Sequence, residues 1–455
     1  MTPTYTPPKS IAIIGGGLGG LCLAQALHST GLSVTVYERD SAPSARGQGY
    51  AIGINADGYK ALIAACPSLL TKHDIFDDCP VRTVSLTDPR LDVLVKFGTN
   101  VSGKKEDEEL GGTVNRVLLR EGLTEGLLQN QQGDGQNAGI VYGKRFLEYE
   151  VTDDGTKVVG QFDDGTTTGK VDILVGADGG HSPVRKRLYP QIKYEALGVL
   201  NIAGALPLAD ITGWDDPECK LRRAVLDGEN KSSLVRALDR NGGSMLFIRS
   251  RDPATLEPIL AWVVTRKPGQ DEMAELTQRM LDPTTSTIKV KQILHDYCLS
   301  ITTRHNYHPS IVALLRATPA TGMLASSSHD PESLQSRSTR IPGDLPTPPT
   351  RIVLLGDAAH ATTTHGGLGA NTAFRDAIEL ADAIKKVLKD GGDVPVAMGA
   401  YHAKMFARGK EVIAFSVRGT GMNTMGGFRA WLRDGIMRIV AAVIWVRRLV
   451  KGVPG

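Results

Sequence analysis

The segment from Ser10 to Glu38 constrains the fold of this chain more than any other. It opens with the β-branched run Ile11–Ile14, which is typical of a strand buried on both faces. A turn with the spacing G-x-G-x-x-G follows, and then come a helical segment and a second strand that ends on Glu38. The glycines of the turn are Gly15, Gly17 and Gly20. Such glycines let the backbone approach a pyrophosphate at the helix N-terminus, and the acid binds ribose hydroxyls, so the order predicts a dinucleotide site.

Two later apolar strands also end in loops that combine glycine with an acid. Val171–Val175 leads into a loop with Asp178, and Arg351–Leu355 leads into Gly356 and Asp357. Because cofactors bind where parallel strands end, these loops are expected to meet at one edge of a sheet. A glycine-rich stretch precedes a helix at Ala370, whose free N–H groups could stabilise an anion.

The rest of the chain indicates a second domain. At 455 residues, with 41% hydrophobic and 22% charged residues, the chain is long enough for about two or three globular domains. Residues 140–175 have the turn spacing of an antiparallel meander, and residues 197–341 mix strands and helices without a phosphate signature. We expect an α+β domain there, followed by a serine- and proline-rich loop over residues 326–350.

Composition excludes several classes of function. The five cysteines are scattered and lack C-x-x-C spacing, so neither a disulfide framework nor a metal site is predicted, and a reducing, cytoplasmic location is expected. The N-terminus has no apolar leader, and no apolar run approaches 18 residues. A net charge of +3 does not indicate nucleic-acid binding.

At this point the sequence resembles the single-component (class A) flavoprotein monooxygenases, the group of para-hydroxybenzoate and salicylate hydroxylases and their fungal relatives in secondary metabolism. Four features carry the resemblance: the opening glycine turn with Glu38, the Gly176–Gly179 loop, the Gly356-Asp357 loop, and Arg116 at the start of a leucine-rich helix. They occur in the order of the family over about 360 residues.

The resemblance implies roles for individual residues around FAD. Gly15, Gly17 and Gly20 would hold the pyrophosphate, Glu38 the adenosine ribose, and Asp357 the ribityl chain. Asp178 would support FAD and transient nicotinamide binding. The remaining implied cofactor residues are Arg116 along the cofactor, Gly49 and Ala51 on its adenosine-to-flavin side, Arg46, and Gly369 and Ala370 under the flavin. Two departures concern the pocket near the flavin: Ala361–Thr364 lacks the usual proline, and Leu368 replaces a common glutamine.

The implied fold is α/β: a Rossmann-like FAD-binding domain with a mostly parallel sheet and a β-meander, an inserted α+β substrate domain, and C-terminal helices. The expected domains are residues 1–82, 112–196 and 345–395 for FAD, residues 83–111 and 197–344 for the substrate, and residues 396–455 for the helical segment.

The implied activity is FAD-dependent monooxygenation with NADPH or NADH as co-substrate. One oxygen atom of O2 would enter an aromatic or polyketide/terpenoid-like small molecule by hydroxylation or epoxidation, through a flavin C4a-hydroperoxide. Catalytic side chains are not assigned, because His305, His308, Arg249 and Arg251 are better explained as structural or surface residues. A Rossmann dehydrogenase, a flavin-dependent halogenase, a Baeyer–Villiger enzyme, another FAD oxidoreductase and a non-catalytic flavin-binding protein are the alternatives.

The C-terminal segment carries most of the basic character. Residues 426–455 hold six basic residues and one acid, and a helix is predicted over Phe428–Lys451. Its uncharged run Ile439–Val446 covers about 12 Å, which is far short of the ~30 Å hydrocarbon core. Two interpretations stay open: the run packs on the protein, or the helix lies on an anionic membrane surface. The oligomeric state is not predicted.

Overall fold

The computed structural model describes residues 9–28, 30–43, 51–71, 81–98, 112–128, 138–226, 232–252, 254–282, 285–324, 331–345 and 351–450. The strands in these ranges are β1 (Ser10–Ile14), β2 (Ser33–Tyr37), β3 (Ala51–Ile54), β4 (Val81–Thr87), β5 (Val93–Gly98), β6 (Gly112–Asn115), β7 (Ala138–Val141), β8 (Phe146–Val151), β9 (Val158–Phe162), β10 (Ile173–Gly176), β11 (Lys193–Pro207), β12 (Ser232–Leu238), β13 (Gly243–Arg251), β14 (Pro258–Arg266), β15 (Gln335–Arg340) and β16 (Ile352–Leu354).

The helices are α1 (Leu18–His28), α2 (Ala56–Ala65), α3 (Arg116–Leu128), α4 (Pro183–Leu188), α5 (Lys220–Val225), α6 (Gln270–Met280), α7 (Thr287–Arg304), α8 (Pro309–Ala317), α9 (Asp357–His360), α10 (Gly369–Leu388), α11 (Val394–Asn423) and α12 (Gly427–Val450). Short 3₁₀ turns include Pro67–Thr71 and Thr364–Gly366.

A five-stranded parallel sheet forms the first layer, in the order β16-β10-β1-β2-β7. Its central strands are apolar on both faces because helices cover them, with α1 against α10 on one side. All five strands run the same way, so the loops after β1, β2, β10 and β16 emerge at one edge. This is the edge at which the sequence predicted the cofactor loops to meet.

A seven-stranded sheet forms the second layer, in the order β15-β11-β14-β13-β12-β4-β5. Its neighbours are antiparallel except for β12 and β4, which are parallel. One face packs on the helices that follow it, with Trp262 and Phe247 fully buried in that core. The other face is directed towards the two-stranded antiparallel sheet of β3 and β6 and towards the Thr364–Gly366 turn, through contacts of β13 with β3 and of His365 with Thr265.

The structure corrects two expectations about strands. The predicted loop over residues 326–350 contains β15, which pairs with β11. The sequence did not predict this strand because its side chains are polar. Ser336, Ser338 and Thr339 are buried by tertiary contacts and not because they are hydrophobic. The predicted meander begins later than expected, because β7 joins the parallel sheet. The antiparallel part consists of β8 and β9, with the next segment bridged to β9 at Val158–Val171 and Gln161–Thr167.

The C-terminal helix forms over the predicted segment and packs on the edge of the second sheet. Met437, Ala441 and Ile444 lie against Leu94, Val95 and Leu238. Arg433 and Arg240 both pair with Asp434, which fixes the helix to the β12–β13 turn. A search of the described residues finds no helix long and apolar enough to cross a membrane.

Candidate active site

The glycine turn after β1 has the geometry that the sequence predicts for a phosphate loop. Gly15 has φ +111°, and a Cβ there would collide with the carbonyl group of Ala177. A Cβ on Gly20 would collide with the carbonyl oxygen of Gly15. At Gly17, by contrast, no atom lies within 4 Å of the Cβ position. Two glycines therefore permit tight packing, and the third leaves the backbone open to a ligand at the start of α1.

Glu38 follows β2 and turns its carboxylate to the same loop. Oε2 accepts a hydrogen bond from the Gly16 amide at 2.8 Å, and Oε1 accepts one from the Asp40 amide at 2.9 Å. Arg120 donates a hydrogen bond to the Gly16 carbonyl at 3.1 Å. No local sequence motif predicts this contact.

Asp178 lies on the loop after β10. Its Oδ2 accepts a weak hydrogen bond from the Val184 amide at 3.4 Å, and its Oδ1 is buried without a hydrogen-bond partner in the described part of the chain. Burial raises the pKa of this carboxyl to about 6. Arg185, 1% exposed, donates to the carbonyls of Ala358 at 2.9 Å and Gly180 at 2.5 Å. Arg185 thereby ties the second loop to the third.

Asp357 begins α9 on the loop after β16. Its side chain is accessible to solvent, yet the surrounding protein raises the pKa of the carboxyl by desolvation even though the charges of His360, Arg116 and Arg185 act in the opposite direction. A Cβ on Gly369 would lie 3.6 Å from Asp357 Oδ1. The structure thus brings Asp357, Arg116 and Gly369 together from three distant parts of the sequence.

A buried network of charged residues supports the loop that carries Asp357. Asp376 of α10 accepts hydrogen bonds from His360 Nε2 at 2.6 Å, from the Gly356 amide at 3.1 Å and from Arg408 at 2.7 Å. Burial alone would raise the pKa of Asp376 and lower that of His360, but their mutual contact reverses both shifts, and Arg408 further lowers the pKa of Asp376. Glu379 binds the same arginine at 2.9 Å. Sequence analysis missed this network because its members are distributed over three helices, α9, α10 and α11.

The N-terminus of α10 lies beside Asp357. The helix begins at Gly369 after Leu368, whose side chain makes no capping hydrogen bond, so the first-turn N–H groups around Ala370 keep their donor capacity. Asn371 fixes this end by donating to the carbonyls of Gly53 at 2.9 Å and Gly367 at 2.8 Å.

The other predicted residues are placed as follows. Ala51 packs with Ile248 and Ala261 between the two-stranded β3–β6 sheet and the seven-stranded sheet. Arg46 and Gly49 lie outside the described residues.

The four residues considered for catalysis lie in the second layer. His305 Nδ1 lies 3.0 Å from the buried carboxylate of Asp239, and His308 caps α8 by accepting from the Ser310 amide. Arg249 and Arg251 are half-buried on β13, and the carbonyl of Arg251 accepts from Asn115.

The donor set fits FAD. An open phosphate loop, a carboxylate at the end of β2, an orphaned acceptor on Asp178 and an uncapped helix N-terminus border the same sheet edge. The phosphate loop suits a pyrophosphate, and the carboxylate suits ribose hydroxyls. The acceptor on Asp178 suits an N–H donor, and the helix N-terminus suits an electron-rich ring.

Comparisons with known proteins agree with this geometry. The family described as NAD(P)-binding Rossmann-like domain matches residues 13–72, and the FAD binding domain family matches residues 348–416. The chain therefore has the Rossmann-like α/β fold of FAD-binding proteins, and the predicted fold class and FAD are confirmed.

Proteins of similar sequence narrow the comparison to FAD-dependent monooxygenases. The chain is 29% identical over 89% of its length to the dual O-methyltransferase/FAD-dependent monooxygenase CTB3 of Cercospora beticola, of which it spans only 45%. It is also 29% identical to the FAD-dependent monooxygenase thnD of Trichoderma harzianum, covering 89% of this chain and 91% of thnD. The structure of Klebsiella pneumoniae HpxO complexed with FAD and uric acid matches with a TM-score of 0.68 at 18% identity, over 97% of this chain and 95% of that one, which concerns the fold alone. The chain is a homologue of the FAD-dependent monooxygenases, as the resemblance predicts.

Proposed function

We propose that this protein is an FAD- and NAD(P)H-dependent monooxygenase that inserts one oxygen atom of O2 into an aromatic or polyketide/terpenoid-like small molecule. The observation that supports this most is the convergence of three strand-end loops on one cleft, with Asp357, Arg116 and Gly369 in proximity. A dehydrogenase would require the first loop but not the other two.

The residue roles belong to the same proposal. Gly17 and the start of α1 receive the pyrophosphate, and Glu38 receives the adenosine ribose. Asp357 receives the ribityl hydroxyls, and the first turn of α10 at Gly369 and Ala370 stabilises negative charge on the ring. Arg116 borders the cofactor, and Asp178 accepts a hydrogen bond from cofactor or nicotinamide. Gly15 and Gly20 act indirectly, by shaping the loop.

Bound FAD would take electrons from a nicotinamide and activate O2 for transfer to the substrate. The chain's own task is then to orient the substrate and exclude water. The Thr364–Gly366 turn, which shortly precedes Gly369, contacts the seven-stranded sheet through His365 and Thr265. We accordingly propose the division into a discontinuous FAD domain, an inserted substrate domain and a C-terminal helical segment, with the boundaries expected from the sequence.

Isotope labelling tests the activity. Purified protein with FAD, NADPH or NADH and a panel of aromatic and prenylated compounds under ¹⁸O2 should yield product with one labelled atom. A label from water alone would indicate a different reaction, and chlorinated product in the presence of chloride would indicate a halogenase. Protein that binds FAD but never oxidises a nicotinamide would be a non-catalytic flavin-binding protein.

We also propose that α12 contacts an anionic membrane surface. Phe428, at 74% exposure, begins an apolar stripe that recurs every three or four residues over about 27 Å of helix. Its other members are Leu432, Ile436, Ile439, Val443 and Val446, all exposed. Exposed Arg429, Arg438 and Arg447 flank this stripe, as expected for a helix lying among anionic headgroups.

Vesicle sedimentation tests this contact. The full-length protein should sediment with phosphatidylserine vesicles at low salt and not with phosphatidylcholine vesicles. Ile439→Ser combined with Val443→Ser should abolish sedimentation. Equal sedimentation of both proteins, or none for the wild type, would contradict the proposal.

A further inference from the structure

A polar cavity of about 280 Å³ lies beside the β4–β5 and β12–β13 turns, where α12 begins. The third part of its wall is the C-terminal end of α7. The polar lining includes Asp88, Arg90, Asp239, Arg240, His305 and Asn306. None of these residues belongs to the cofactor loops, so the proposed monooxygenation leaves the cavity without a role.

His305 is the histidine of this wall, and the protein holds one side of its ring. The side chain is only 8% exposed, and Nδ1 lies 3.0 Å from Oδ2 of Asp239. The Asp239 carboxylate is itself fixed, because Oδ1 accepts hydrogen bonds from the amides of Asn241 at 2.8 Å and Gly243 at 2.7 Å. Tyr307 donates to Oδ2 at 3.3 Å. The other ring nitrogen, Nε2, makes no hydrogen bond in the described part of the chain, so a ligand in the cavity can use it.

Two arginines reach the cavity from different turns. Arg240 donates through Nε to Asp434 of α12 at 2.8 Å, and its Nη groups have no partner within the described ranges. Arg90 makes one long contact, 3.5 Å from Nη1 to Asn306 Oδ1. Both side chains are exposed, so water rather than a protein group solvates most of their donors. Because the two turns border one cavity, both guanidiniums can contact the same ligand.

The two aspartates of the wall do not offset this excess of donors. Asp239 is saturated by the contacts given above. Asp88 uses Oδ1 to accept from the amides of Arg90 at 2.9 Å and Asp92 at 3.0 Å, which closes the turn. The hydrogen-bonding capacity that remains in the cavity is therefore mostly that of N–H groups. Such a wall suits a ligand that accepts hydrogen bonds, and the two guanidiniums favour a negatively charged one.

His308 shows that positive charge dominates around the β4–β5 turn. Its amide donates to the carbonyl of Pro89 at 2.9 Å, so it lies next to the cavity wall. Burial, and then the charges of Arg90 and Lys220, lower the pKa of His308, while Asp92 acts less strongly in the opposite direction. An anion that entered the cavity would meet the same field.

We propose that this cavity binds a phosphate group, with Arg90, Arg240 and His305 as its donors. A carboxylate offers two oxygens in one plane, whereas a phosphate offers oxygens in several directions, which matches donors that come from three separate elements. One water occupies only about 30 Å³ of liquid, so the cavity also has room for the group to which the phosphate is esterified.

The phosphate has two possible sources, an anionic lipid headgroup and a soluble phosphate ester or free phosphate. Arg240 connects the cavity to α12 through Asp434, so a headgroup of a membrane under α12 would lie nearby. Only this lipid source rests on the proposed membrane contact. Phosphate binding as such goes beyond the proposed function and does not depend on it.

Calorimetric titration of the FAD-loaded protein with inorganic phosphate tests the site while FAD occupies the cofactor loops. Phosphate should bind saturably, and acetate should bind much more weakly. Arg90→Met should weaken phosphate binding by about tenfold, and Arg90→Lys should recover part of the loss. The matched control is Arg304→Met, an exposed arginine of α7 outside the cavity lining, which should stay within about twofold of the wild type.

The buried donor has its own pair of variants. His305→Leu removes Nε2 and should weaken phosphate binding, whereas His305→Gln places an amide nitrogen near the position of Nε2 and should weaken it less. Melting curves of both variants separate this effect from a loss of folding. Equal losses in two variants that melt at the wild-type temperature would contradict the role of His305 as a donor.

Vesicle sedimentation distinguishes the two sources. Phosphatidylcholine vesicles with phosphatidic acid, which ends in a phosphate monoester, are compared with phosphatidylserine vesicles of equal surface charge. A preference for phosphatidic acid that Arg90→Met removes and inorganic phosphate competes away would assign the lipid headgroup. Equal sedimentation with both lipids, together with saturable binding of inorganic phosphate, would assign a soluble ligand.

The proposal is overturned if neither inorganic phosphate nor phosphatidic acid binds in an Arg90-dependent way. It is also overturned if Arg304→Met weakens binding as much as Arg90→Met, because that result would indicate diffuse attraction to positive charge. Ile439→Ser combined with Val443→Ser should abolish vesicle binding and leave the phosphate titration unchanged. Failure of the membrane contact, or of the monooxygenase assay, is thereby distinguished from failure of this site.

Discussion

The two sheets differ in whether a buried charge next to them has partners inside the protein. Behind the five-stranded sheet, Asp376 is saturated by His360, Arg408 and the Gly356 amide. On the seven-stranded sheet, Arg236 has no anion in the described part of the chain, although its exposure is only 8%. A charge with all its partners inside the protein fixes a loop. A charge without them stays desolvated and uncompensated within the described part of the chain.

The largest effect should come from removing the centre of the paired network. Asp376→Ala leaves a buried imidazole, a guanidinium and an amide without their acceptor, and it should lower the free energy of unfolding by about 3–5 kcal/mol. Urea denaturation of the FAD-loaded protein measures this. Asp376→Asn keeps one acceptor oxygen and should lose less. If Asp376→Ala unfolded at the same urea concentration as the wild type, the network would not stabilise the fold.

The two aspartates that flank β10 should respond to pH in opposite directions. The pKa of Asp178 is raised to about 6, so its ionisation disfavours the folded state, and stability should fall by at most about 3 kcal/mol as the pH rises from about 4 to 6. Burial alone would raise the pKa of Asp172, but the Ser10 amide and Lys157 lower it, so its contribution is lost as the pH falls through its pKa. Between pH 3 and 7, the free energy of unfolding of Asp178→Asn should therefore depend less on pH than that of the wild type. Asp172→Asn should lack the part of the stability that the wild type loses at acid pH. Equal slopes in both variants would contradict this difference.

Asp357→Ala should affect the cofactor rather than the fold. It would remove the proposed charge-assisted hydrogen bond to a ribityl hydroxyl, worth about 1.5–3 kcal/mol, and should weaken FAD binding by about 10- to 150-fold. The unfolding of the flavin-free protein should change little, because burial raises the pKa of this carboxyl and its charge does not stabilise the fold. Fluorescence titration with FAD measures the affinity, with Asp382→Ala on the exposed side of α10 as the control. Unchanged FAD affinity would remove Asp357 from the site.

The smallest effect is expected at the exposed margin of the network. Arg375 pairs with Glu379 at 3.0 Å, but its side chain is 52% exposed. Arg375→Ala should change the free energy of unfolding by about 0.5 kcal/mol or less, as solvent screens such pairs. A loss as large as that of Asp376→Ala would show that pairing, rather than burial, sets the strength of the network.

The sequence alone was sufficient for the local parts of the cofactor site. Gly15, Gly17, Gly20 and Glu38 lie within 24 residues, and their spacing follows from what one β–α–β unit needs in order to hold a pyrophosphate. The loops with Asp178 and Asp357 could also be predicted, because each directly follows an apolar strand. Their convergence follows from the parallel order of β16, β10, β1 and β2.

Tertiary structure alone decided which charges are completed inside the protein. Asp376, Arg408 and Arg185 occupy separate helices, and no spacing in the chain connects them. Arg236 could have attracted attention as a lone cation in the alternating strand Ser232–Leu238, but that pattern also describes a solvated edge. Whether a charge is paired depends on side chains that arrive from distant segments and on the loss of water around them. Local sequence therefore determines where the backbone can approach a cofactor, and packing determines which buried charges are compensated.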